Sequence, residues 1–214
     1  MNTKSNTVRI LCYGDSNTWG YIPGKGERYD TYTRWTSLLQ KALGETFEIV
    51  EEGLNARTTI LDDPKNEGKN GATYLKPCLQ SHYPLDLVIL MLGTNDLKER
   101  FERTPDQIAQ GVDQLLAIIH DSEYNYNHDP KVILLSPPLV DESVEGVQEK
   151  YLGAEAKSKQ LGNLYKEVAA KYKAEFIDIA QYVKPSKVDG CHLDPEAHQK
   201  VAEVLLEKIK KIIP

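Results

Sequence analysis

Residues 85–92 read LDLVILML and run directly into Gly93, Thr94, Asn95 and Asp96. A strand with one wet face would alternate apolar and polar residues. This stretch is apolar at every position but Asp86, as expected of a central strand covered on both faces. Working outward, Val8–Tyr13 (VRILCY) and Lys131–Ser136 (KVILLS) have the same character, and Pro137 and Pro138 end the second. Phe47–Glu51 (FEIVE) is a weaker, alternating strand, and Ala174–Ile179 is the last. Between them lie helical patterns. Arg34–Leu43 stops at Gly44, and Asn70–His82 carries Leu75 and Leu79 on one face. Thr104 caps a helix that starts at Pro105 and buries Ile108, Val112, Leu115, Leu116 and Ile119. Leu152–Lys173 reads as one long helix, and Asp194 followed by Pro195 opens another to Ile213.

Strand–helix alternation of this kind predicts an α/β fold: a three-layer α/β/α sandwich around a mostly parallel five-stranded sheet. Without repeat, linker or low-complexity tract, residues 1–214 read as one domain. The net charge of −6 and the absence of a basic stripe exclude a nucleic-acid footprint. Cys12, Cys78 and Cys191 are odd in number and lack C-x-x-C spacing, so they read as reduced, buried thiols. The polar opening MNTKSNT contains no apolar signal segment, and no stretch is long enough to span a bilayer. A cytoplasmic protein without a membrane partner is the expectation.

Parallel sheets of this class bind ligands at the carboxyl ends of their strands. There the sequence places Gly14-Asp15-Ser16 after the first strand and Gly53-Leu54-Asn55-Ala56-Arg57-Thr58 after the second. Gly93-Thr94-Asn95-Asp96 follows the third, and Asp189-Gly190-Cys191-His192 comes after the last. Acyl transfer by a serine needs these chemical types: a hydroxyl, a base, a carboxylate to orient the base, and N–H donors for the oxyanion. Each residue also has a bland reading. Ser16 suits a turn or helix cap, and Asn95 suits an Asx-turn. Asp15 and Asp96 read as acceptors that hold their loops, and Arg57 as a salt-bridge or helix-start residue. His82, His120 and His128 have no motif beside them, and His198 sits inside the terminal helix. A metal site of Asp189, His192 and His198 does not follow a zinc spacing.

Taken in order, GDSNTWG, GTND and DGCH resemble the blocks of the SGNH (GDSL) hydrolase superfamily. With EEGLNARTT, YPLDLVI and MLGTND they are most similar to the bacterial aryl esterase/acyltransferase branch. The resemblance implies a flavodoxin-like SGNH sandwich and a serine esterase of small acetyl-like or aryl esters that works through an acyl-Ser16 intermediate. It makes Ser16 the nucleophile, His192 the base and Asp189 its orienting carboxylate, presented by a loop. The oxyanion donors would be the backbone N–H groups of Ser16 and Ala56 and the Asn95 amide. Many relatives carry Gly where Ala56 stands, so a left-handed backbone is not expected there. Trp19 would be a substrate-binding wall of the acyl pocket. No metal or organic cofactor is implied. The partners would be an ester, water or an alcohol as acceptor, and further copies of the chain in a homo-oligomer. A carbohydrate O-acetylesterase is the alternative within the same blocks, and a non-catalytic binding module the alternative outside them. The acidic connection 139–150 reads as a solvated, irregular loop.

Overall fold

The computed structural model describes residues 7–121 and 129–213. His128 and the opening residues 1–6 therefore lie outside the described residues. Five strands form one wholly parallel sheet in the order β2-β1-β3-β4-β5: β1 Val8–Gly14, β2 Phe47–Gly53, β3 Leu87–Met91, β4 Lys131–Ser136 and β5 Glu175–Asp178. The strand ends lie level, with Gly14 opposite both Gly53 and Met91, and Met91 opposite Leu135. Every turn that leaves these strands therefore starts from one edge.

The helices are α1 Ser16–Trp19, α2 Trp35–Leu43, α3 Gly71–Ser81, α4 Pro105–Ile119, α5 Gln148–Tyr151, α6 Ala154–Lys171 and α7 Pro195–Ile212. Alternate residues of the central strands feed two separate cores. Leu11, Tyr13, Val88, Leu90, Val132 and Leu134 pack with α3, α4 and α6. Ile10, Cys12, Ile89, Met91, Ile133 and Leu135 pack with α2 and α7. That two-sided burial explains why β3 reads as an unbroken apolar run. Each fully buried leucine here, such as Leu90 or Leu205, would cost about 2–5 kcal/mol if cut to alanine.

Helix starts fall where their caps predict. Thr104 and Gln107 form a reciprocal capping box at α4, and the Asp194 side chain accepts the Ala197 N–H at α7. Two expectations need correction. The helix expected over Leu152–Lys173 divides at Leu152 and Gly153, where Gly153 takes a left-handed φ of 75° and the chain restarts as α6. The segment 139–150 is not wholly irregular, because its last three residues belong to the single-turn helix α5. Among the described residues no helix is long and apolar enough to cross a membrane.

Candidate active site

α1 begins on the residue after Asp15, so the chain passes from β1 into a helix with almost no connection. Small residues make this close approach feasible. A side chain at Gly53 would place its Cβ 2.2 Å from the Trp19 nitrogen, so β2 must end in glycine where α1 crosses it. Asp15 caps the helix by accepting the Asn17 N–H at 2.9 Å. Ser16 is thus the first helical residue, and its side chain reaches the rim of a cleft.

The opposite wall is the loop 186–193. Asp189 is the hub of its tip: its Oδ1 accepts the His192 N–H at 3.1 Å and the Cys191 N–H at 3.3 Å. Its Oδ2 lies 2.7 Å from His192 Nδ1, and His192 Nε2 lies 2.9 Å from Ser16 Oγ. Burial pushes the Asp189 carboxyl up, but its hydrogen bonds and the imidazole charge outweigh this and hold it below the usual carboxylate range. An ionised Asp189 keeps the proton on Nδ1, which leaves Nε2 free to accept the Ser16 O–H. Gly190 turns the loop at φ 64°, and a Cβ there would lie 2.5 Å from the Asp141 carbonyl oxygen. The presentation by a loop is as expected.

Ser16 and His192 are 176 residues apart, and Asn17 joins their segments. Its amide donates to the Cys191 carbonyl at 3.2 Å and accepts the Leu193 N–H at 3.0 Å. Its own carbonyl accepts the Trp35 indole N–H at 3.0 Å, which ties the turn to α2. Tyr21 stacks on the His192 ring at 4.2 Å between centroids.

The third wall comes from the turns after β2 and β3. Asn95 donates one amide hydrogen to the Arg57 carbonyl at 3.0 Å, and its Oδ1 accepts from Lys98 Nζ at 2.6 Å. Arg57 is buried, stacks over Tyr13 at 4.1 Å and donates to the carbonyls of Gly14 and Glu52. It is a brace between strand ends and does not line the cleft. Asp96 accepts the Thr59 N–H and Thr59 O–H, and burial pushes its carboxyl up to about 7 despite those bonds. The expectation for Ala56 is overturned. Its φ is 65°, in the left-handed region, a strain of about 1–2 kcal/mol that the tight turn imposes on an alanine. Neither the Ser16 nor the Ala56 N–H is engaged by another group among the described residues.

These walls enclose a cleft of about 410 Å³, within the range of small-ligand sites. Its lining includes Ser16, Ala56, Asn95, Lys98, Asp189 and His192. Trp19 is not part of it. The cleft meets Tyr21, and Trp19 lies behind it, its ring 6.5 Å from that of Tyr21 and 5.4 Å from the Arg28 guanidinium. Glu145, Gly146, Val147 and Lys150 also line it, so the acidic connection 139–150 builds a wall of the site. His198 is buried, accepts the Trp35 N–H and has its pKa lowered to about 3 by burial and by the Arg34 and His192 charges. His82 bonds Glu52, and His120 pairs with Asp129. Two trios of metal-type ligands exist among the described residues, Glu52–Cys78–His82 and Asp189–Cys191–His192, and neither includes His198. All three cysteines are free and buried, and burial pushes the Cys78 thiol up to about 12 and raises that of Cys191. Without a metal, both thiols are therefore protonated at neutral pH and are not nucleophiles.

The model of the GDSL-like lipase/acylhydrolase family matches residues 12–200. The chain belongs to that family. Within it, the fold superposes on the inhibitor-bound aryl esterase of M. smegmatis with TM-score 0.91 and 39% identity, over 97% of this chain and 100% of the other. A carbohydrate acetylesterase from Sinorhizobium meliloti matches equally well, with TM-score 0.91, 39% identity, and 97% and 100% coverage. A curated acetylxylan esterase of Xylanibacter ruminicola is 22% identical over 97% of this chain. The chain spans 44% of that protein's length. Family membership with esterase neighbours supports a carboxylic ester hydrolase.

Tyr21 and Lys98, which line the cleft, and Asn17, which clamps the loop behind it, are residues that the sequence did not single out. Asn17 stands inside the first GDSL block, but turn chemistry alone accounts for an asparagine there. Lys98 follows Asn95 by one turn of a 3₁₀ segment, and a lysine in a charged run carries no signal of burial.

Proposed function

We propose that the chain is a serine esterase of small carboxylic esters, with Ser16 as nucleophile, His192 as general base and Asp189 as the group that orients it. The observation that carries this reading is the unbroken relay from Asp189 Oδ2 through His192 to Ser16 Oγ, at 2.7 and 2.9 Å. As Ser16 Oγ attacks the ester carbonyl, its proton moves to His192 Nε2, and Asp189 stabilises the imidazolium. The oxyanion is received by the free N–H groups of Ser16 and Ala56 and by the second amide hydrogen of Asn95. One such donor is worth about 10²–10³ in turnover. His192 returns the proton to the departing alkoxide. Water, deprotonated by the same nitrogen, then releases the acid from acyl-Ser16.

Transfer of the acyl group to an alcohol is the finer part of the proposal. Tyr21 and Val188 supply apolar surface at the cleft where an alcohol can compete with water. A sugar ester is the second reading, favoured by Asn55, Glu145 and Lys150 on the same cleft, which can bond hydroxyl groups. Self-association is proposed too, with exposed Tyr32, Leu152 and Val188 as available apolar surface. Three free thiols support a reducing, cytoplasmic setting. The test pairs fluorophosphonate labelling with hydrolysis of p-nitrophenyl acetate and of acetylated xylose, with and without added alcohol. Wild type should label and turn over. Ser16→Ala should do neither while keeping its circular dichroism spectrum, and near-normal turnover in that variant would remove Ser16 from the mechanism.

A further inference from the structure

We propose that Lys98 is the positioning residue of this site: its ammonium fixes which way the Asn95 amide faces and strengthens the hydrogen bond that amide gives to the oxyanion. The inference rests on the oxyanion role proposed above for Asn95.

An asparagine amide has a donating end and an accepting end of nearly equal shape, and only one orientation can serve an oxyanion. At Asn95 two neighbours choose it. The Arg57 carbonyl can only accept, and it takes one Nδ2 hydrogen at 3.0 Å. The Lys98 ammonium can only donate, and it holds Oδ1 at 2.6 Å. A flipped amide would set N–H against ammonium and oxygen against oxygen. The remaining Nδ2 hydrogen is thereby left for the cleft that Ser16 shares. An ammonium on the carbonyl end also draws electron density along the amide, so Nδ2–H becomes a better donor. Hydrogen bonds to charged groups are about twice as strong as neutral ones.

The position of Lys98 is otherwise costly. The residue is 9% exposed, and Nζ has one hydrogen-bond acceptor among the described residues, Asn95 Oδ1. The Tyr151 ring lies 5.9 Å away. Charged and titratable groups face it from several elements. Arg100 on the following 3₁₀ turn repels it, Asp63 from the segment after β2 and Asp15 at the α1 cap favour its charge, and the Cys191 thiol on the opposite loop would do so only once ionised. Burial dominates, with Arg100 adding to it, and brings the Lys98 pKa down to about 8. A lysine with a purely structural task gains nothing from a site that makes its proton easy to lose. A lysine that polarises the oxyanion donor confers on catalysis an alkaline step near that value. The neutral amine still fixes the amide but polarises it less, so turnover should drop to a lower plateau and not to zero.

The experiment measures kcat and KM for p-nitrophenyl acetate from pH 6 to 9.5 in wild type, Lys98→Met, Lys98→Gln, Lys98→Arg, Asn95→Ala and the Asn95→Ala/Lys98→Met double variant. Thermal melts verify that each is folded. Lys98→Met and Lys98→Gln should lower kcat at least 10-fold with KM within about twofold, and should lose the alkaline step that wild type shows. Lys98→Arg should recover most of kcat and carry the step beyond the range. The double variant should be no slower than Asn95→Ala alone. Unchanged kcat in folded Lys98→Met, a change confined to KM, or equal losses in the presence and absence of the Asn95 amide would overturn the role of Lys98 and leave the site reading intact. Full turnover in Asn95→Ala would overturn that reading and this inference with it.

Discussion

The turn at residues 14–17 and the loop at residues 186–193 both reach the cleft, but they are held in place differently. The turn leaves the central strand β1 directly, and its backbone is set by strand pairing, a helix cap and close glycine packing against β2. The loop follows edge strand β5 at a distance and is organised by its own side chains: Asp189 gathers two N–H groups and an imidazole, and Asn17 reaches over from the turn to hold its backbone. The sheet thus positions the proposed nucleophile, while hydrogen bonds position the proposed base. Damage on the loop side should therefore disturb chemistry, and damage on the sheet side should register first as stability.

Asp189→Asn is the hardest test of that contrast. It keeps the shape of the hub but replaces an obligate acceptor, which permits the wrong imidazole tautomer; kcat should fall about 10³–10⁴-fold with little change in KM. A loss below tenfold would mean that the loop backbone alone orients His192. Asn17→Leu comes next and breaks the contrast from the other side. It strands the Cys191 carbonyl and the Leu193 N–H in a buried position, each at a cost of about 1–3 kcal/mol. Urea unfolding should show that loss, and kcat should fall at least tenfold as His192 drifts from Ser16. If stability falls and kcat holds, the clamp does not position the base. Ala56→Gly has the smallest effect. It should relieve the left-handed alanine and raise stability by up to about 1 kcal/mol, with kcat near wild type. Destabilisation would show that the alanine methyl is a packing contact and not a source of strain.

Much of this architecture is legible from local pattern. Continuous apolar runs predicted the buried parallel strands, cap residues predicted the starts of α4 and α7, and GDSN, GTND and DGCH stand at the strand-end turns and on the late loop as the order of elements requires. Three features depart from the local reading. The resemblance points to Trp19 as a wall of the acyl pocket; Tyr21 lines the cleft instead, with the Trp19 ring 6.5 Å from it. Ala56 is left-handed despite its side chain, at φ 65° in the turn between β2 and the cleft. The connection 139–150 looks solvated by composition, yet it closes one side of the site.

Residue types and their spacing determined by themselves the strands, the longer helices apart from the break at Gly153, the family and the chemical kinds available at the sheet's edge. They did so because burial and capping depend on neighbours a few positions away. Only the tertiary structure decided that Asn17 would join segments 176 residues apart, that Arg57 would brace two strands, and that the Lys98 ammonium would lie against the Asn95 amide. Contacts of that kind depend on the relative placement of whole elements, which no local pattern encodes.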